Sequence, residues 1–180
     1  SPLAKKQKNI LILTLGFIAA LGPFSIDTYL PGFPTIAESL NTDISNVSLT
    51  LTSYFIGISV GQLIYGPLLD RYGRKKPLLI GLGIYILASL GCALAPDVEA
   101  LIFLRPVQAL GGCVGMVASR AIVRDRFPTN EVARVFSALI LVMGAAPIVA
   151  PTVGGYLIDH FGWRFIFVLL SALSLVMFVL

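Results

Sequence analysis

Charge is what this sequence has least of. Only 12% of its residues are Asp, Glu, Lys or Arg, about half the share that a soluble domain carries to keep its surface hydrated. Over 180 residues that shortage excludes an ordinary water-soluble domain, because most of the outside must face something other than water. Cysteine is scarce too. Cys92 and Cys113 are the whole supply, each inside an apolar run, and they read as small buried thiols; a metal site needs closer-set ligands. The single histidine, His160, stands beside Asp159 and reads as a solvated loop residue. The chain has no nucleotide-binding loop, zinc spacing or nucleophile triad, so no metal, cofactor or enzymatic activity is expected. The glycines between Gly111 and Gly115 fall inside an apolar segment, where close packing explains them better than phosphate binding.

What is present is apolar. Hydrophobic residues make up 57% of the chain, and its mean hydropathy is +0.91. A bilayer core of ~30 Å takes about 20 residues of helix, since a helix satisfies its own backbone groups in hydrocarbon. Uncharged runs of that order recur six times, predicting helices near 9–30, 46–69, 77–95, 98–123, 131–158 and 163–180. The first run is too long for a signal peptide, and five more follow it. Pro31-Gly32-Phe33-Pro34 is expected to break the first helix. Asn41 to Ser45 offers caps for the second, Pro96-Asp97 starts the fourth, and Pro128-Thr129-Asn130-Glu131 caps the fifth. The reading is an all-α polytopic membrane protein. Its six spans divide into two threes that start from opposite sides, compatible with inverted-topology repeats. The missing initiator Met and the apolar run ending at Leu180 are read as the edges of a piece of a longer chain. Cut from its remaining half, that piece is expected to be poorly stable.

The net charge of +4 would fit nucleic acid, but its placement does not. Lys5, Lys6 and Lys8 precede the first span. Arg71, Arg74, Lys75 and Lys76 fill the second joint, and Arg120, Arg124, Arg126 and Arg134 flank the fourth. Only Arg105 and Arg164 remain of the thirteen Lys and Arg. Bias of this kind in short loops orients a membrane protein, so the N-terminus and both basic loops are expected in the cytoplasm. The basic charge is topological, and no nucleic-acid partner is expected.

Asp27 falls in the first span and Arg105 in the fourth. An ionised carboxylate at depth costs ~2.5–3.5 kcal/mol on insertion scales. Such a group can exchange a proton near working pH or attract a cationic ligand; the plainer alternative is a helix-end acid at the interface. A guanidinium keeps its proton, so Arg105 must snorkel or find a partner, and Asp27 is the obvious counter-charge, directly or through water. In the joint Gly66–Lys76, Gly73 permits a tight turn, and Asp70 and Arg74 are close enough to pair across it. In the run Gly144–Gly155, Pro147 and Pro151 weaken the helix ladder. Small residues there, Gly154 and Gly155 among them, let another helix approach, making a joint that could bend. Tyr29, Tyr54, Gln62 and Met143 are candidate linings of a cavity for apolar ligands.

The joint Gly66–Lys76 resembles the signature loop of the major facilitator superfamily. Leu101–Gln108 resembles its fourth-helix signature, and the run 144–155 its antiporter signature in the fifth. Ser25-Ile26-Asp27-Thr28-Tyr29-Leu30-Pro31, together with Gly61–Pro67, is similar to the bicyclomycin- and chloramphenicol-resistance type of drug:proton antiporter. That resemblance implies the amino-terminal bundle of a twelve-helix transporter, partnered by a carboxy-terminal six-helix half, in a bacterial inner membrane. It implies export of an amphipathic drug by alternating access, driven by the proton gradient with no other cofactor. It further implies a proton-linked acid at Asp27 that also meets substrate, a coupling base at Arg105, and substrate contacts around Leu139 and Met143. Asp70 would dock on the other half, and Arg74 would join a charge cluster including Asp125. Ser137, Ala146 and Ala150 stand where the antiporter pattern prefers Gly, which leaves a uniporter or a proton symporter for a small metabolite as the alternative.

Overall fold

The computed structural model describes residues 4–180. Seven α-helices follow one another: α1 (Lys5–Asp27), α2 (Phe33–Ser39), α3 (Ile44–Tyr72), α4 (Lys75–Ala93), α5 (Val98–Arg126), α6 (Thr129–Phe161) and α7 (Arg164–Val179). Five segments are long and apolar enough to cross a membrane, while α7 is apolar but only 16 residues long. This is the architecture of a multi-pass helical membrane protein.

The joints differ from expectation in instructive ways. α1 runs unbroken through Pro23 and ends at Asp27. The chain then passes through a short 3₁₀ turn, Leu30–Gly32, into α2. Pro31 and Pro34 occupy the opening turns of those two pieces, where a missing N–H costs nothing. Asp97 caps α5 as expected, its carboxylate accepting from the Ala100 amide at 2.8 Å. No such bond caps α6, whose cap position is Pro128. Glu131 in its first turn accepts a salt bridge from Lys8 at 2.8 Å instead. Asp43 likewise precedes α3 without a side-chain cap.

Helix α5 is the axis of the bundle. Half of its apolar stretch is buried, against 28% for α3 and 17% for α6, so those two helices keep broad open faces. Close approach comes from small residues. A Cβ added at Gly57 of α3 would lie 2.5 Å from the Pro106 carbonyl oxygen of α5. One added at Gly154 of α6 would lie 2.2 Å from the Thr28 carbonyl oxygen, just past α1. The two contacts are counterparts, since α3 meets α5 as α6 meets α1, in keeping with an inverted repeat. Cys92 and Cys113 are free and buried, as their apolar settings predict.

Three apolar clusters sit along this axis. One gathers Tyr29, Ile36, Tyr85, Leu101 and Phe167 toward the end where α5 begins. A second joins Leu15, Val123, Val135 and Leu139 at the opposite end. The third packs Tyr65 and Leu69 on Cys113 and Val114. Lys8 with Glu131, and Arg74 with Asp125, bring the starts of α1, α4 and α6 to the end of α5. The basic segments therefore share one end of the bundle. At the other end, Arg164 donates to the carbonyls of Ala93 and Ala95, both at 2.8 Å, and so closes the last turn of α4.

Candidate functional site

Arg105 is fully buried, with no exposed surface. It enters from the second turn of α5, and its guanidinium is held by four other parts of the chain. Nη1 donates to Oε1 of Gln108 at 2.6 Å. Nη2 makes a long contact of 3.5 Å to the Ser25 carbonyl. The rings of Tyr29 and Tyr54 lie 4.4 and 4.2 Å from Cζ, and Phe167 stands at 5.7 Å. Nε has no partner among the described residues. Aromatic faces within about 6 Å of a buried guanidinium attract it strongly when water is absent.

No carboxylate pairs directly with Arg105 among the described residues, which corrects the direct form of the expected ion pair with Asp27. The reason lies in helix geometry. Ser25 turns inward, its hydroxyl against that of Tyr85 on α4, and Asp27 follows two residues later, about 200° around the helix. Asp27 is half-buried and makes no side-chain hydrogen bond among the described residues. What offsets the arginine charge is the end of α1 itself. The Tyr29 amide bonds the Ile26 carbonyl at 3.2 Å, leaving the Ser25 carbonyl to the guanidinium. A helix C-terminus carries about half a negative charge, so Arg105 caps α1 as a cation.

Around this cage runs a closed polar set, buried throughout. Gln108 donates from Nε2 to the Ser89 hydroxyl of α4 at 2.9 Å. The Tyr29 hydroxyl meets Thr50 of α3 at 2.5 Å, and the Tyr54 hydroxyl approaches the Gly22 carbonyl at 3.4 Å. Tyr29 and Tyr54, expected to line a cavity, are wholly buried in this structure, with their hydroxyls bonded inside and their rings against Arg105. Leu139 is also buried, packed with Leu15 and Val123, so it offers no surface to a ligand here. Met143 is half-buried and Gln62 exposed. The sequence reading did not single out Ser89, Tyr85 or Phe167. Ser89 and Tyr85 stand four residues apart in the otherwise apolar α4, one face of a helix, and that was the available signal.

At the basic end the expected charge cluster is present. Arg74 donates to Asp125 at 2.7 Å and to Asp70 at 2.9 Å. Those two carboxylates, Asp125 foremost, push the Arg74 guanidinium further above its already high range, making it a fixed cation. Gly73 takes φ +81°, a left-handed turn that a side chain would strain. Gly66 has open space beside it. In α6, Pro147 and Pro151 are on the exposed face, while Gly154 is buried against α1. Gly155 faces open space. His160 is not in a loop: it ends α6, its ring stacked on Tyr156 at 4.2 Å.

The family model described as Major Facilitator Superfamily matches residues 15–180. The chain is 42% identical over 177 residues to an uncharacterized MFS-type transporter of Bacillus subtilis, an alignment covering 97% of this chain and 44% of that relative. It is 39% identical over 171 residues to a bicyclomycin resistance protein homolog of Haemophilus influenzae, with coverages of 95% and 43%. A chloramphenicol resistance protein of Pseudomonas aeruginosa is 37% identical over 164 residues, covering 90% of this chain and 38% of its own length. The chain thus spans less than half the length of these curated relatives.

Proposed function

The chain belongs to the major facilitator superfamily, and from that premise we propose that it is half of a drug:proton antiporter, exporting amphipathic small molecules by alternating access. The observation that carries this reading is the pairing of roles at the end of α1. A half-buried carboxyl without a hydrogen-bond partner, Asp27, sits in the last turn of the helix whose terminus a permanently charged Arg105 caps. The names of two relatives, a bicyclomycin resistance protein homolog and a chloramphenicol resistance protein, support that substrate class.

The physical sequence runs through α1. With Asp27 ionised, its charge adds to the negative end of the helix, and Arg105 grips that end more strongly. Protonation removes the added charge and loosens α1 against α5. A cationic or polar drug that meets the same carboxyl favours the deprotonated state, so drug and proton exclude one another; that exclusion is what exchange requires. Met143 and the open faces of α3 and α6 provide apolar surface for a ligand. The Asp70–Arg74–Asp125 cluster closes the basic end, and the charge bias supports a cytoplasmic position for that end in a bacterial inner membrane. Pro147 and Pro151 give α6 a place to bend, and the second half of the relatives' length is the surface against which it does so.

The test uses the full-length protein in proteoliposomes. An imposed proton gradient drives drug uphill, and added drug dissipates that gradient. Accumulation of a metabolite in the direction of proton entry would instead establish symport, and transport indifferent to the gradient would establish a uniporter.

A further inference from the structure

Helix α4 contributes no residue to the open faces of α3 and α6, yet it supplies the far anchor of the arginine cage. Resting on the antiport reading above, we propose that Ser89 of α4 is a positioning residue for Arg105, acting through Gln108.

The chain of contacts is short and wholly buried. The Ser89 hydroxyl accepts from Gln108 Nε2 at 2.9 Å and ties the amide to α4, in the orientation that a donor-only guanidinium on its other side requires. With the nitrogen committed to α4, the oxygen is presented to Arg105 Nη1 at 2.6 Å. An amide turned the other way would present hydrogens to a guanidinium, two donors face to face. Ser89, Gln108 and Arg105 have no exposed surface, so water cannot substitute for a lost member. Ser89 therefore anchors the amide in place, the anchored amide holds one arm of the fork, and the other arm reaches the Ser25 carbonyl at the end of α1. Besides Asp27 in the last turn of α1, the ionisable groups close to Arg105 are the phenols of Tyr29, Tyr54 and Tyr85 and the Cys92 thiol, types that ordinarily titrate well above neutral pH. A change in the pH profile on altering Ser89 therefore reports Asp27.

The experiment is a double-mutant cycle on the full-length transporter in proteoliposomes, reading drug transport against pH. Ser89→Ala moves the midpoint of the profile to higher pH by about half a unit or more, because a less directed cation holds the ionised form of Asp27 less well. KM for the drug changes less than about twofold. Gln108→Met, which lacks both bonds, produces a similar displacement, and the double variant shifts no further than either single one. Ser89→Thr, which keeps the hydroxyl, restores the wild-type midpoint. Superimposed profiles for Ser89→Ala and wild type overturn the proposal, as do additive shifts or a Thr variant that behaves as Ala does. Should Ser89→Ala fail to purify as a monodisperse protein, Ser89→Cys takes its place in the cycle under the same criteria. A wild-type protein without any pH-dependent transport refutes the antiport reading itself, a result distinct from all of these.

Discussion

Replacing Arg105 by lysine keeps the charge and removes the shape. The guanidinium reaches two acceptors, Gln108 Oε1 and the Ser25 carbonyl, with the rings of Tyr29 and Tyr54 4.4 and 4.2 Å from its Cζ. An ammonium can serve one acceptor well and stacks on neither ring as a plane. One charge-assisted hydrogen bond is worth about 1.5–3 kcal/mol, and each desolvated cation–π contact about 0.5–2 kcal/mol. With partial recovery by the lysine, the net loss comes to roughly 2–4 kcal/mol. Arg105→Met is the informative contrast. It strands the Gln108 oxygen but relieves the desolvation of a buried charge, and apolar replacements of that kind are often near neutral. Thermal unfolding of the purified full-length protein in detergent reads both. Lysine should lower the midpoint by about 2–5 °C, and methionine by less. Equal stability of the lysine variant and wild type, within about 0.5 kcal/mol, would refute the cage as the means by which this charge is tolerated.

Other outcomes follow from single contacts. Gly154→Val forces side-chain atoms onto the Thr28 backbone, 2.2 Å from where its Cβ must stand, and should cost about 3 kcal/mol or more. Its neighbour Gly155 has open space, so Gly155→Val should stay within about 0.5 kcal/mol; chemical denaturation compares the two. Arg74→Ala removes two largely exposed ion pairs, so its unfolding free energy should fall by less than about 1 kcal/mol while transport falls severely, which flux assays and melting curves separate. Exchanging the charges of Lys8 and Glu131 should restore, in the double variant, the loss of about 0.5 kcal/mol seen in each single variant.

The membrane architecture was open to reading because hydrocarbon leaves a chain so few choices. Uncharged runs of span length and the clustering of lysine and arginine locate the helices and gather the basic joints at one end, and Lys8–Glu131 and Arg74–Asp125 meet there. The Asp70–Arg74 pair was legible from its four-residue spacing and from Gly73. What the sequence concealed was azimuth. Asp27 and Arg105 are both ionisable and both lie in segments long and apolar enough to cross a membrane, but whether their side chains meet depends on the angle at which each leaves its helix. That angle is set by packing: Ser25 faces α4, so Asp27 cannot. That the rings of Tyr29 and Tyr54 lie against Arg105 was equally hidden, because a tyrosine looks the same in sequence whether its ring meets a ligand or an arginine. Ser89 escaped notice since a lone serine in an apolar helix is usually a packing residue that bonds its own backbone.

The claim on which the mechanism depends is that Asp27 exchanges the proton that drives transport. Asp27→Asn in the reconstituted full-length protein isolates it, because the amide keeps the size and removes the ionisation. The prediction is a variant that still equilibrates drug down its own gradient but no longer moves it uphill under an imposed proton gradient. Uphill, gradient-driven export at the wild-type rate by the asparagine variant would contradict the account.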